Sequence, residues 1–332
     1  MSAATEATKA PRRAKPIIAR FMRWEALLAV LFVVMMIGNG LLSPYFLDFA
    51  NLSDATANFS EQAIIALAMA LLIIARDIDL SVASIIAVCS LAMGLLAAHG
   101  FGTPVLMVAA LTLGLACGMF NGWLVTRFAL PSIVVTIGTM SLYRGLADVV
   151  LGDKALTHYP PLLQAIGQNY VANWLPIPVS FAVFLVLAVV FAFVLHATPF
   201  GRRLYAMGNN PVAARFSGIP VNRIRFILFT LTGLMSGLAA ILLTGRIGST
   251  RPNIATGWEL SVITMAILGG VSISGGSGTI GGVVLAVLLL GFTQFGLSLV
   301  NVPEIVINIL QGVMLIVAIG VPLLLQRLRG RG

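Results

Sequence analysis

Three charged side chains, Arg76, Asp77 and Asp79, lie within IIARDIDLSVAS (residues 73–84) between long apolar runs. Two carboxylates in such surroundings can take up and release cations, the equipment of an ion-coupled carrier. An Asp or Arg at the centre of a lipid-exposed helix costs roughly 2.5–3.5 kcal/mol. The segment is therefore expected at an interface, along a cavity or in a buried helix break. Arg144 and Asp148 in SLYRGLADVV stand four residues apart, the spacing at which side chains meet on one helix face, and predict a structural ion pair.

Other chemistries find no support in the residues. His99, His158 and His196 fall in different connections or at span ends, so no metal site and no cofactor are expected. Cys89 and Cys117 both sit in apolar stretches and are expected as small core residues. There is no G-x-S-x-G, no H-E-x-x-H and no G-x-x-x-x-G-K-[ST]. Lys9, Lys15 and Lys154 are the only lysines, and none follows a glycine. The chain is thus not expected to be an enzyme, and any ATP-driven work must come from a partner.

A second polar interruption, PFGRRLYAMGNNPVAARFSGIPVNRIRF (residues 199–226), presents five arginines. Asn210 suits an N-cap, Pro211 the first helical position and Gly218 the residue after the helix. That punctuation predicts a two-turn helix over 211–217 lying across the membrane rather than through it. From the pattern alone it serves either as an element that docks into a partner's groove or as a solvated connection.

The elements that must position these groups are transmembrane helices. The chain is 59% hydrophobic and only 9% charged, with a mean hydropathy of +1.03, whereas soluble chains carry roughly 25% charged residues. Its apolar runs are continuous rather than alternating, which argues against a barrel. An all-α integral membrane fold follows, with about ten spans, some broken, near 26–42, 61–75, 80–98, 104–125, 131–150, 177–196, 224–243, 259–274, 279–299 and 304–325. A basic arm (1–24) is followed by an uncleaved anchor, the first span of a transmembrane domain (25–326) that includes the connection at 199–223. A basic tail (327–332) follows.

With the N-terminus inside, 16 of the 20 Lys/Arg fall on the cytoplasmic side, leaving Arg144, Lys154, Arg246 and Arg251. The positive-inside rule therefore places both termini in the cytoplasm. It also accounts for the net charge of +9 without nucleic acid. A second break is expected in AILGGVSISGGSGTIGG (266–282), whose seven glycines are tolerated at depth only inside protein or beside water. One break in each half hints at an internal repeat around a pathway. Gly114, Gly118 and Gly122, with Gly233 and Gly237, recur every fourth residue and predict close helix packing.

The segment GRRLYAMGNNPVAARFSGIPV resembles the cytoplasmic coupling segment of sugar-importing ABC transporter permeases of the ribose/xylose/arabinose type. DIDLSVAS is similar to that family's Gly-Gly-Ile-Asp-Leu-Ser-Val-Gly-Ser, with Arg76-Asp77 standing where Gly-Gly is usual and Ala83 replacing a glycine. NGWLVTRFALPSIVVTIGTMSLYRGLA and TGWELSVITMAILGGVSISGGSGTIGG resemble two further family segments; the four stand in the family's order, and the resemblance extends over about residues 25–325. The Ala-Arg-Asp-Ile-Asp-Leu-Ser variant looks most like the rhamnose-import branch, with autoinducer-2 importers also close.

The resemblance implies one membrane subunit of an importer in the bacterial inner membrane. Its partners would be an ABC ATPase, a second permease (the same chain or a sister) and a periplasmic binding protein that delivers a monosaccharide. It implies that Gly208, Asn209, Asn210, Pro211, Ala213, Ala214, Arg215 and Gly218 couple to the ATPase, with Arg202 and Arg203 flanking them. Asp79, Ser81, Asn121, Thr139 and Ser272 are expected along the solute path. The 153–176 loop and residues 250–259 would meet the binding protein, unless Tyr170 and Trp174 are interface-belt aromatics. The rival is the ion-coupled carrier acting through Asp77 and Asp79.

Overall fold

A computed structural model describes residues 17–172, 175–303 and parts of 305–320. Most of the expected basic arm, the tail at 327–332, Trp174 and the end of the expected 304–325 span lie outside the described residues.

Continuous apolar runs become helices because a backbone in lipid must satisfy its own hydrogen bonds. In chain order they are α1 (Ile17–Leu42), α2 (Phe49–Ile74), α3 (Val82–Ala98), α4 (Thr103–Arg127), α5 (Ser132–Leu151), α6 (Pro161–Gln168), α7 (Val179–Ala197), α8 (Pro199–Asn209), α9 (Pro211–Phe216), α10 (Val221–Ile247), α11 (Trp258–Leu268) and α12 (Ile280–Leu299). Among the described residues seven are long and apolar enough to cross a membrane: α1 from Trp24, α2, α4, α5, α7, α10 and α12. Nine of the ten expected spans coincide with an apolar helix, though α3 and α11 are shorter than the rest, and the tenth, 304–325, falls largely outside the described residues. The 11 residues of α11 reach about 16 Å at 1.5 Å per residue, roughly half of a ~30 Å hydrocarbon core. It is a half-helix, as a glycine-broken span requires.

α2 forms the axis and is buried almost throughout, packed against α7, α10, α11 and α12. It starts at Phe49, twelve residues before the expected 61, because Asp48 caps it, accepting from the N–H groups of Ala50 and Asn51 at 3.0 and 3.1 Å. Hydropathy discounts its polar first turns, yet Thr56, Ser60, Glu61 and Gln62 are buried there. α4 and α10 meet backbone to backbone, as the spaced glycines predict. A Cβ on Gly233 would come within 2.7 Å of the Gly118 Cα, and one on Gly114 within 2.9 Å of the Gly237 Cα. No larger residue fits that seam.

The connection between α7 and α10 is two helices rather than one. The predicted element appears as α9, ending at Phe216 with Ser217 as its C-cap, while α8 was not foreseen. Another unforeseen element is a small hairpin in the 153–176 region. Its strands β1 (Tyr170–Ala172) and β2 (Leu175–Pro178) pair antiparallel, Tyr170 opposite Pro178.

Candidate functional site

At the end of the bundle that carries α8 and α9, both helix breaks and the connection converge. α2 stops at Ile74, and Arg76 takes φ +70°, a left-handed conformation that costs an L-residue roughly 1–2 kcal/mol. Its guanidinium donates to the carbonyls of Gly208 (Nε, 2.6 Å) and Asn209 (Nη2, 2.8 Å), the last two residues of α8. From the second break, the Gly276 N–H donates to the Ile74 carbonyl at 2.9 Å. Asn209 Nδ2 donates to the Gly276 carbonyl at 3.2 Å, and Tyr205 Oη to the Gly278 carbonyl at 2.7 Å. Burial pushes the Tyr205 phenol up to about 12. Asp77 is buried and receives both Nε and Nη2 of Arg225, at 2.6 and 2.5 Å, from the start of α10.

The second break is held on its other side by α1. Trp24 Nε1 donates to the Leu268 carbonyl at 2.9 Å, and the Glu25 carboxylate accepts from Thr279 Oγ1, which caps α12.

α9 stands on this joint. Asn210 Oδ1 accepts from the N–H groups of Val212 (3.1 Å) and Ala213 (3.0 Å), and Gly218 takes φ +79°, so both caps are formed as predicted. The eight residues expected to couple do not all face outward. Gly208 and Ala214 are buried and Pro211 is half-buried, while Asn209, Asn210, Ala213, Arg215 and Gly218 are exposed. A Cβ on Gly208 would lie 2.8 Å from the Gly276 Cα, so that glycine serves the joint. Sequence reasoning missed the apolar crown of α9: Phe216 is 90% exposed and Val212 65%. Two large apolar side chains on a six-residue helix, too short to hide both, were the available signal.

Below the joint lies a buried polar network. Asp79 accepts from Ser81 N–H (2.9 Å), Ser81 Oγ (2.7 Å), Thr232 Oγ1 (3.2 Å) and Asn121 Nδ2 (3.5 Å). Asn121 Nδ2 also donates to Ser81 Oγ at 2.8 Å, and Tyr143 Oη donates to Asn121 Oδ1 at 3.4 Å and to the Cys117 carbonyl at 3.2 Å. The carboxylate thus fastens the start of α3 to α4 and α10 through neutral donors. Three of the five expected path residues meet here, joined by Thr232 and Tyr143, which sequence reasoning missed. Thr139 is buried one turn before Tyr143 but donates to the Thr136 carbonyl. Ser272 lies apart in the second break, its N–H on the Ser277 carbonyl.

The opposite end is tied by different groups. Arg246, closing α10, pairs with the fully buried Glu61 of α2 (Nε–Oε1 2.8 Å) and donates to Asn58 Oδ1 at 3.0 Å. The expected Arg144–Asp148 pair does not form; the two ion pairs among the described residues are Asp77–Arg225 and Glu61–Arg246. Arg144 Nη1 turns instead to the carbonyls of Pro252 and Ile254, at 2.5 and 2.9 Å. Acceptors that the 250–259 loop brings close in space outcompete a neighbour on the same helix. That loop is bridged to 153–176 through paired backbone bonds of Leu156 and Thr250, at 3.0 and 2.8 Å. Thr250 Oγ1 continues into buried hydroxyl contacts with Tyr159 and Ser90, and Ser90 with Thr244. Tyr170 donates to Asp54 Oδ1 at 2.5 Å, which ties the hairpin to α2. Among the described residues no three His, Cys, Asp or Glu side chains converge as a metal cluster.

Comparison with known proteins gives a consistent picture. The family described as "Branched-chain amino acid transport system / permease component" matches residues 51–319. The autoinducer 2 import system permease protein LsrD of Escherichia coli (strain K12) is 36% identical over 303 residues, covering 89% of this chain and 91% of that protein. The protein of the same name from Shigella flexneri matches equally, at 36% over 303 residues. No solved structure matches. The relatives carry autoinducer 2 in their names, and nothing in them supports the rhamnose branch.

Proposed function

The chain belongs to this family of transport-system permease components, and from that premise we propose that it is the membrane-spanning subunit of an ATP-driven importer for a small neutral hydroxylated solute. It is a transport subunit and not itself an enzyme. α8, α9 and both termini lie on the cytoplasmic face of the bacterial inner membrane, where an ABC ATPase binds. A second permease completes the pathway, and a periplasmic binding protein delivers the solute at the end carrying the 153–176 loop. With the relatives named for autoinducer 2, that compound replaces a rhamnose-like sugar as the first cargo to test.

The observation that carries this reading is α9: a short helix capped at both ends, with Phe216, Val212 and Arg215 exposed on it and Arg202 and Arg203 exposed on the adjoining α8. Burying one such apolar side chain is worth about 1.5–3 kcal/mol, and the guanidinium groups add charge-assisted bonds to carboxylates. A partner's groove supplies both. The ion-coupled alternative is left with Asp79 alone, because Asp77 is committed to Arg225, and the bonds of Asp79 to Ser81, Asn121 and Thr232 are those of a clasp between helices.

Co-purification with the candidate ATPase tests the proposal, comparing wild type with Val212→Glu plus Phe216→Glu. These positions face outward, so the variant inserts normally and loses the complex. A wild-type chain that ignores the ATPase and accumulates solute alone, driven by an ion gradient, would overturn it.

A further inference from the structure

Resting on the importer reading but going beyond it, a role for Arg76 emerges from the joint itself. Glycine is the residue that φ +70° favours, and an arginine stands there. What the arginine adds is its side chain. Gly208 and Asn209 close α8, so their carbonyls are among the helix-end acceptors left without an intrahelical donor. A guanidinium on them also faces the negative end of the helix dipole. The next residue in the chain after those two is Asn210, the cap of α9. Arg76 therefore grips the connection immediately before the element that meets the ATPase.

The second break joins the same knot through Gly276 on Ile74, Asn209 on Gly276 and Tyr205 on Gly278. Without Arg76, α8 would keep its hold on the second break but lose both side-chain bonds from the first. We propose that Arg76 is a positioning residue that binds the first membrane break to the end of α8, and so completes a rigid joint in which both breaks move with α8 and α9. A displacement of α9 then reaches the breaks undiminished, and the chemical energy released in the partner is converted to motion of the pathway.

Arg76→Gly isolates the side chain, because glycine adopts the same backbone angle without strain. Arg76→Lys keeps the charge but loses the forked geometry. Both are compared with wild type in the complete complex of permeases, ATPase and binding protein in liposomes, with autoinducer 2 and L-rhamnose as probes. Solute moved per ATP hydrolysed is expected to fall about tenfold in R76G while hydrolysis stays within about twofold, as for loss of charge-assisted bonds. R76K falls between. A merely structural role would lower both rates together and leave their ratio unchanged.

A second measurement needs no transported solute. Spin labels at the exposed Ala206 (α8) and the half-buried Leu80 (first break), with Cys89 and Cys117 changed to Ser, report whether these parts hold together. Wild type is expected to give a narrow distance distribution, the same with and without ATP, and R76G a broadened one. An R76G complex with wild-type transport per ATP and a wild-type distribution overturns the proposal. A wild-type chain that binds no ATPase overturns the importer reading and the transmission role with it. That outcome is told apart by a distribution that R76G still broadens.

Discussion

The first break, residues 75–81, is made of charge, and the second, residues 269–279, is made of glycine. In the first, each ionisable side chain is bonded from a distant helix: Arg76 on α8, Asp77 on α10, Asp79 on α4 and α10. In the second, Gly275 and Gly276 take φ +77° and +72°, and the backbone itself bonds to Ile74 and to the side chains of Asn209 and Tyr205. A charged break must bring its partners with it and so fixes the helices around it. A glycine break needs only close approach, and it conforms to the surface it is pressed against. Together they let one side of the joint define geometry while the other follows.

The contrast is broken most severely at the Asp77–Arg225 pair. Removing Arg225 leaves Asp77 buried without its cation, and such a loss costs about 3–5 kcal/mol. Arg225→Ala is expected to show the largest drop in thermal unfolding temperature of the purified chain in detergent. Adding Asp77→Asn should recover part of it, because the stranded charge is gone. If the double variant is no better than the single one, the charge is not what organises the first break.

Gly276→Ala tests the glycine side. Its Cβ would sit 2.8 Å from the Asn209 backbone nitrogen at φ +72°, so left-handed strain and overpacking add to roughly 2–3 kcal/mol. Limited proteolysis at the 275–278 turn should accelerate, with the Asp77–Arg225 region still protected. Asp79→Asn is expected to cost about 1–3 kcal/mol, since Ser81 donates to one carboxyl oxygen and Thr232 to the other, and the amide nitrogen must replace one of these two acceptors. Faster hydrogen exchange at the start of α3 is the measurement.

Tyr205→Phe is the mildest change, about 1 kcal/mol for one neutral hydrogen bond. Burial raises the Tyr205 phenol from 10.0 to about 12, so its proton is held more tightly in the folded chain. The stabilisation is present below pH 10.0 and is lost as pH rises towards about 12. The phenylalanine variant should lose that part of the pH dependence.

What was legible before the structure follows the range of the forces involved. Apolar runs gave the position of every long helix, and local hydrogen-bond rules gave α9 with both its caps, because Asn210 and its targets lie within three residues. The glycines of α4 and α10 announced a seam, since only one cause recurs at that spacing. The network at Asp79 was visible in part, through Ser81 two residues away, whereas Thr232 is 153 residues distant and no local pattern points to it. Arg144 failed for the same reason in reverse: a good local partner was on offer, and a loop more than a hundred residues later supplied better acceptors. The early turns of α2 were hidden because Glu61 reads as polar until Arg246 is known to cover it.

α10 is fastened to α2 or to the residue run directly following it at both its ends, by Arg225 to Asp77 and by Arg246 to Glu61. The two arginines are 21 residues apart, about 32 Å along a helix, which is close to the thickness of a hydrocarbon core. Two antiparallel helices joined at both ends cannot slide past each other to shorten. In a thinner bilayer this pair has to tilt as a unit, and in a thicker one the lipid must yield. The two pairs thus give this part of the protein a fixed length, which a bilayer must either match or meet by tilt.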